Sequence, residues 1–572
     1  MVIDASSLKA NASSPRTVDP VTVEVIRYGL VAAAEQMATS IERSARSQVI
    51  REMLDYSTAL FDLQGGIVAQ STRIPVHLNS MTRALQTMLA DHFSLDRWGE
   101  GDVFCTNDPY AGGQHLPDIM TFSVVVAGGE PVAICGSLGH HLDVGGRGPG
   151  SYGADATEIY QEGFRIQPCR IATAGELNPL FFQLLGGNIR VPSKTLADLQ
   201  AQIASLSIGR SEVLRLVARY GSESFLAAVS ELVHSSEQRM RQIVAAFPEG
   251  TYRAEDLVDG DGLEDEPVPV RVAVTKLGTD LLIDFSGTGE QTRGPINAPL
   301  AATESSVYFA VLSMLAPALP SNHGCYKPIK VMAPPGSVVN PVEPAPVVGR
   351  NVLTHRITNV VHQALGDALP DRAAAAYYGN SNVYILQAKG EDGKPNVLFE
   401  IEVGGWGGRP DRDGNECLSA GIHNLMNNPI ELAEHEFPLR VIEYSLRSDS
   451  GGIGRHRGGM GIRRVLEVLD ESEFSSQFDR VKFPPPGRDG GGPGATARIT
   501  VIHDGVETEL PGKVLAHRLT AGDRVVIETQ GGGGFGPPSS RSEAAVAQDL
   551  AEGRITLPVA REDYPHLQEK LR

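Results

Sequence analysis

Apolar residues recur at helical spacing from the first patterned segment onward. Asp19-Pro20 supplies a cap and a first-turn proline. Ile26, Leu30, Ala33, Met37 and Ile41 then line one face, which predicts a helix. Residues 58–70, TALFDLQGGIVAQ, change period: two short apolar runs around Gln64-Gly65-Gly66 predict a β-hairpin. Met81, Leu85, Met88 and Leu89 predict a second helix. In TFSVVVAGGEPVAICGSLGHH (121–141) two β-branched runs meet at Gly128-Gly129, the pattern of strand, turn and strand. From 193 to 246 there is no proline, and Leu196, Leu199, Ile203, Leu214, Leu216, Val217, Leu226, Leu232, Met240 and Ile243 predict two or three packed helices. PVRVAV and DLLIDFSG predict strands on either side of Gly278. A helix near 301–315, proline-rich connections to about 347 and an amphipathic helix over THRITNVVHQALGDAL (354–369) follow.

After residue 400 the glycines cluster: GGWGG at 404–408, GGIGRHRGGMG at 451–461, GRDGGGPG at 487–494 and GGGGFG at 531–536. Short alternating runs such as ARITVIHD and DRVVIETQ lie between them, and SSRSEAAVAQDLAEGRI predicts a capped surface helix at the end. No fixed-period repeat is present, which argues against a solenoid. The expected architecture is mixed α+β. Residues 1–18 are expected to be poorly ordered, 19–192 to form an α/β part bearing the candidate site, and 193–250 a helical segment. Residues 251–400 are expected to form a central α/β part, and 401–572 a β-rich glycine-loop part with terminal helices.

Composition narrows the function classes. At 572 residues, with 41% hydrophobic and 21% charged residues, the chain has the make-up of a soluble globular protein of several cores. A net charge of −19 without any Lys/Arg cluster disfavours nucleic-acid binding. No run of about 18 apolar residues predicts a membrane span, and the N-terminus lacks the basic and apolar regions of a signal peptide. The five cysteines, Cys105, Cys135, Cys169, Cys325 and Cys417, are widely spaced and form no C-x-x-C, which fits a reducing cytoplasm.

Candidate chemistry gathers in a few loops and strand ends. NDPYAGGQHLPDIM (107–120) sets His115 and Asp118 three residues apart after a glycine turn. His140-His141 ends the second strand of its hairpin, with Asp143 just beyond, and Asp55 lies in REMLDYSTALFD. Imidazoles with carboxylates suit Zn²⁺, Mn²⁺ or Fe²⁺, and such a site with an open position activates water. By spacing alone, a His-x-x-Asp pair in a loop is equally a local hydrogen bond, and the His140-His141 pair equally a satisfied histidine cluster. There is no H-E-x-x-H, no G-x-x-x-x-G-K-[ST] phosphate loop and no G-x-S-x-G elbow. The glycine clusters read as turns and close backbone packing, although Arg455, His456 and Arg457 leave anion binding open.

Eight stretches occur together in order: NDPYAGGQHLPDI, GHHLDVGG, EIYQEGFRIQPCRI, LADLQAQ, DFSGTG with PIN, NHGCYKPIKVMAPPGSVVNP, RSDSGGIGRHRGGMGIRR and TQGGGGFG. Over about residues 20–565 the chain thereby resembles the hydantoinase B family. That family includes the B-type component of N-methylhydantoinase and the matching half of 5-oxoprolinase. Caprolactamase and the acetone and acetophenone carboxylases have related subunits. The resemblance implies a hetero-oligomer with an A-type ATPase partner that binds ATP and phosphorylates a carbonyl oxygen of a cyclic amide or ketone, with no ATP on this chain. It implies a divalent metal here, zinc or manganese or possibly iron, held by residues matching His115, Asp118 and His140. A further acidic ligand upstream is implied, best matched by Asp55, with Glu52 and Asp62 close by. His141 and Asp143 would orient the ligands, or His141 would shuttle a proton. An amide carbonyl is a poor electrophile because of its resonance, so O-phosphorylation before attack makes chemical sense. Three readings stand at this point: a metal-bearing subunit of an ATP-dependent cyclic amidohydrolase, a subunit of an ATP-dependent ketone carboxylase, and a non-catalytic scaffold.

Overall fold

The computed structural model describes residues 18–567 apart from 78, 391–392 and 420. The expectation of a poorly ordered N-terminus therefore lies, but for Val18, outside the described residues. The first helix runs Pro20–Ser44; the Asp19 carboxylate accepts from the Thr22 N–H (3.0 Å) and Pro20 fills the first turn. Its buried stripe, Ile26, Leu30, Ala33, Met37 and Ile41, packs on helix Pro192–Tyr220, and helix Ser222–Ala245 leans on both. The expected two or three helices are thus two, broken at Gly221, whose φ of +82° suits glycine.

These helices cover one face of a seven-stranded antiparallel sheet. Its strands are β1 (Tyr56–Phe61), β2 (Ile67–Gln70), β3 (Val103–Thr106), β4 (Asp118–Ala127), β5 (Glu130–His140), β6 (Cys169–Thr173) and β7 (Glu176–Leu177). The order is β2-β1-β5-β4-β3-β6-β7. Side chains alternate between faces along each strand. On β4 and β5 Ile119 and Cys135 join the core under the long helices. Met120, Phe122, Ile134 and Leu138 face the other way, onto Met81, Leu85 and Trp98.

A second sheet, Thr251–Val258, Val268–Leu277, Asp280–Asp284 and Ile329–Met332, is antiparallel except for its last, parallel pair. Helices Leu300–Leu315 and Asn351–Ala368 pack together over it. The second of these was expected to be amphipathic, but every residue from Asn351 to Val361 is buried. Its would-be polar face is enclosed because Arg356 reaches across to an ion pair with Asp479 of the C-terminal part. Arg480 grips Asp256 through two bonds of 2.6 and 3.1 Å, and Lys513 sits 3.3 Å from Asp479. This buried charge network ties the helix, the second sheet and the C-terminal strands together.

The C-terminal part holds two further antiparallel sheets. One runs through Asn382–Lys389, Pro395–Glu402, Ser472–Gln477 and Lys513–Leu519, so residue 400 lies inside a strand of this sheet. The four glycine clusters do pack as close backbone. Gly408 N–H donates to Gly533 O (2.8 Å), Gly452 to Gly532 O (2.8 Å), Gly532 to Gly459 O (2.9 Å) and Gly534 to Gly492 O (2.9 Å). A Cβ on Gly532 would stand 2.0 Å from Trp406 O, and one on Gly405 1.9 Å from Gly459 O. Arg457 is buried and spent on Glu416 (2.7 Å) and Asp549 (3.4 Å), so its cation is already paired. Among the described residues no helix is long and apolar enough to cross a membrane.

This packing makes two predictions about stability. Gly532→Ala should lower the thermal midpoint by the equivalent of about 3 kcal/mol or more, whereas Gly187→Ala, where an added Cβ meets nothing within 4 Å, should leave it nearly unchanged. Asp479→Ala leaves Arg356 only Asp256 at 3.7 Å and Lys513 only the Phe478 carbonyl at 3.3 Å in the interior, and should cost about 3 kcal/mol, measured by the same melt.

Candidate metal centre

The site forms where β1 and β4 begin and β5 ends. The antiparallel register places Asp118 directly opposite His140. By alternation both share the face of Met120 and Leu138, away from the long helices. Asp55 precedes β1 at the same end, and its carbonyl accepts the His140 N–H (3.0 Å). His115 arrives from the loop before β4. There the Asp108 carboxylate accepts from Tyr110 N–H (3.0 Å) and Gly112 takes φ +100°. A Cβ on Gly112 would stand 2.5 Å from Ala84 N, so the glycine lets this turn press against helix Ser80–Thr87. The Asp118 N–H then closes back on the His115 carbonyl (3.1 Å), turning both side chains inward.

One donor atom from each of His115, Asp118 and His140 lies within 4.8 Å of the others, and all three residues are buried. His115 Nε2 stands 3.1 Å from Asp118 Oδ1, and the two imidazole rings are 5.0 Å apart. His115 Nδ1 faces the Val348 carbonyl at 3.3 Å. A carbonyl only accepts, so the tautomer protonated on Nδ1 donates to it and leaves Nε2 a lone pair for a cation, whereas the other tautomer donates from Nε2 to Asp118. His115 Nε2, Asp118 Oδ1 and both ring nitrogens of His140 are buried without a hydrogen-bond partner. Each such atom ordinarily costs about 1–3 kcal/mol, and a cation between His115 Nε2, Asp118 Oδ1 and one His140 nitrogen would satisfy three of them at once.

The charges agree with that chemistry. Burial lowers both histidines, with Arg350 adding to it at His115 and His115 adding to it at His140. Burial works to raise Asp118, but His115 and Arg350 outweigh it and hold the carboxyl well below its usual range. Arg350 is the permanent cation beside it: its Nη2 donates to Asp118 Oδ2 (2.9 Å). Two neutral imidazoles and one ionised carboxylate are a donor set for a borderline divalent ion. The Val348 carbonyl and Arg350 orient that set from behind.

The other anticipated residues divide. Asp55 stands outside the three-residue cluster but lines the same cavity, its Oδ1 3.7 Å from His77 Nε2. Burial, then the charge of Asp118, push it up to about 8. Glu52 is paired with Arg51 (2.7 Å), and Asp62 caps its hairpin by accepting from Gln64 and Gly66 N–H (2.9 and 2.7 Å). Asp55 is therefore the upstream carboxylate that reaches the site. His141 and Asp143 do not reach it. His141 follows His140, so alternation turns it to the opposite face, where Nε2 meets Gln202 Oε1 at 2.8 Å. Asp143 accepts from Gly145 N–H (2.9 Å) and from the Arg190 backbone and guanidinium (3.0 Å each).

Among the wall residues that sequence patterning missed are His77, Tyr152, Arg350, Ser381 and His423. They come from five separate segments, and no spacing marks them. The cavity they line is small, about 20 Å³.

Comparison with known proteins identifies the family. The family model described as hydantoinase B/oxoprolinase matches residues 19–538. The B-type component of a putative D-/L-hydantoinase from Pseudomonas sp. (strain NS671) is 31% identical over 568 residues, covering 96% of this chain and 95% of that one. The crystal structure of ATP-dependent caprolactamase from Pseudomonas jessenii superposes with a TM-score of 0.89 at 30% identity, covering 96% of each chain. Nucleotide-free acetone carboxylase shares the fold, with a TM-score of 0.89 at 19% identity over 96% of this chain and 80% of the other. The chain belongs to the hydantoinase B/oxoprolinase family.

Proposed function

We propose that this chain is the metal-bearing, B-type component of an ATP-dependent cyclic amidohydrolase that opens a hydantoin, oxoproline or lactam ring. The observation that carries this is the buried cluster of unpaired donor atoms on His115, Asp118 and His140, in a chain that matches an ATP-dependent caprolactamase along nearly its full length. Those three residues hold a divalent ion, zinc or manganese or else iron, and Asp55 is the upstream carboxylate beside them. When bound, such an ion supplies Lewis acidity and a nucleophile at neutral pH.

The chain's own residues prepare that chemistry. Arg350 keeps Asp118 ionised and in place, and the Val348 carbonyl accepts from the His115 tautomer that offers Nε2 to the ion. Tyr152 and Phe399 stand against His140, with ring centroids 6.2 and 5.1 Å away, and exclude bulk water from it. ATP binds on a partner, an A-type ATPase, which activates the substrate carbonyl by phosphorylation; this chain has no phosphate loop for it. The working form is a hetero-oligomer. All five cysteines are unpaired, which suits the reducing cytoplasm.

Two measurements test this reading. His140→Ala and Asp118→Asn should each lower affinity for Zn²⁺ or Mn²⁺ by at least about tenfold, measured by metal analysis after equilibrium dialysis, while His141→Ala should keep full occupancy. A His115→Ala protein that also kept full occupancy would sink the ligand assignment. Co-purified with its A-type partner, the chain should open at least one ring in a panel of hydantoins, 5-oxoproline and caprolactam, with ATP consumed in step. Alone it should hydrolyse no ATP. ATP turnover that requires bicarbonate and yields no ring-opened product would overturn the hydrolase reading in favour of a carboxylase.

A further inference from the structure

With His141 turned away, the cavity still needs a group to move protons. Hydrolytic opening of an O-phosphorylated cyclic amide adds water across the C=N bond and then breaks the C–N bond. The water oxygen bonds to the ring carbon, the C–N electron pair stays on nitrogen, and both protons of the water end on that nitrogen, leaving an amine and an acyl phosphate. Two proton transfers are therefore required beside the cation site.

His423 lies in the cavity wall together with His115 and His140, and a linked series of side chains runs back from it. His423 Nδ1 stands 2.5 Å from Ser381 Oγ. Ser381 Oγ stands 2.9 Å from His355 Nε2, and His355 Nδ1 stands 2.9 Å from the Tyr377 hydroxyl. Asn351 Nδ2 donates to the Ser381 carbonyl (3.0 Å), and Tyr377 is stacked on Trp406 with ring centroids 5.1 Å apart. All these polar groups are buried. The order that also lets the Tyr377 O–H donate to the His355 carbonyl (3.4 Å) runs His423 Nδ1–H to Ser381 Oγ, Ser381 O–H to His355 Nε2, and His355 Nδ1–H to Tyr377 oxygen. That order leaves His423 Nε2 with a lone pair, and its nearest partner is the same serine hydroxyl at a poor 3.4 Å. A ring held through Nδ1, at 2.5 Å by Ser381 and 3.3 Å by His355, with only one long contact on Nε2, is the arrangement of a general base.

We infer that His423 is the proton-transfer residue of the cavity, with Ser381 and His355 as positioning residues that set its tautomer and Tyr377 as their anchor. His423 takes each proton from the attacking water on Nε2 and returns it to the ring nitrogen, while Nδ1–H stays with Ser381. This rests on the amidohydrolase reading above.

The test uses the complex with the A-type partner, whichever ring of the panel it opens, and bound metal measured in every variant. His423→Gly should lower kcat by about 100-fold or more with metal retained, and added imidazole should restore part of the rate. Ser381→Ala should lower kcat, and not raise KM, by about tenfold, as expected when a base loses its orientation. A His423→Gly enzyme within about threefold of the parent would overturn the inference. So would loss of metal in that variant, or full metal with neither imidazole rescue nor any effect of Ser381→Ala. If the parent complex opens no ring, the amidohydrolase reading fails instead, which is a separate result.

Discussion

The pairing of β4 with β5 is the constraint on which the site depends. Antiparallel strands bring Asp118 and His140 face to face, and period-two alternation points both away from the long helices. A slip of one residue would send Asp118 and His140 to opposite faces. The register is held by the apolar partners further along the same strands, Phe122, Val124, Ile134 and Leu138 on one face and Ile119 and Cys135 on the other. Core packing and donor geometry are thus one choice made by the same ladder.

The sheet alone supplies an open shelf of donors. What closes it comes from far along the chain: Arg350 at the start of a buried helix, Ser381 ahead of a strand, and His423 from a loop. These arrive because the C-terminal part docks tightly on the second sheet. Two devices secure that arrangement. Glycine backbones that approach to distances any side chain would forbid hold the C-terminal part together, and the Arg356, Asp479, Arg480 and Asp256 network pairs its buried charges across to the second sheet. Neither device touches the site, yet the position of His423 and Ser381 follows from both.

Much of the fold was legible in the hydrophobic pattern. The first helix, the hairpin at 58–70, the strands around Gly128-Gly129 and the terminal capped helix each carry local signals in cap, period or turn. The amphipathic helix expected over 354–369 forms at Asn351–Ala368, but many of its polar residues, Arg356 among them, pair inside the protein rather than with water. Of the site, the spacing of His115 and Asp118 identified a candidate, and the family resemblance separated it from an ordinary local hydrogen bond. His141 and Asp143 were drawn in by proximity along the chain, which in a strand is a poor guide because neighbours face opposite ways.

By itself, then, the amino-acid sequence determined many of the helices and strands, the three clustered donors and the family, since all of these rest on short-range periodicity or on contiguous motifs. Only the tertiary structure decided which carboxylate near β1 reaches the cavity, which histidine turns its back on it, and that Arg350, Ser381 and His423 belong there. The reason is physical. Those assignments depend on burial and on contacts between segments hundreds of residues apart, and burial and long-range contacts leave no local pattern in a single chain.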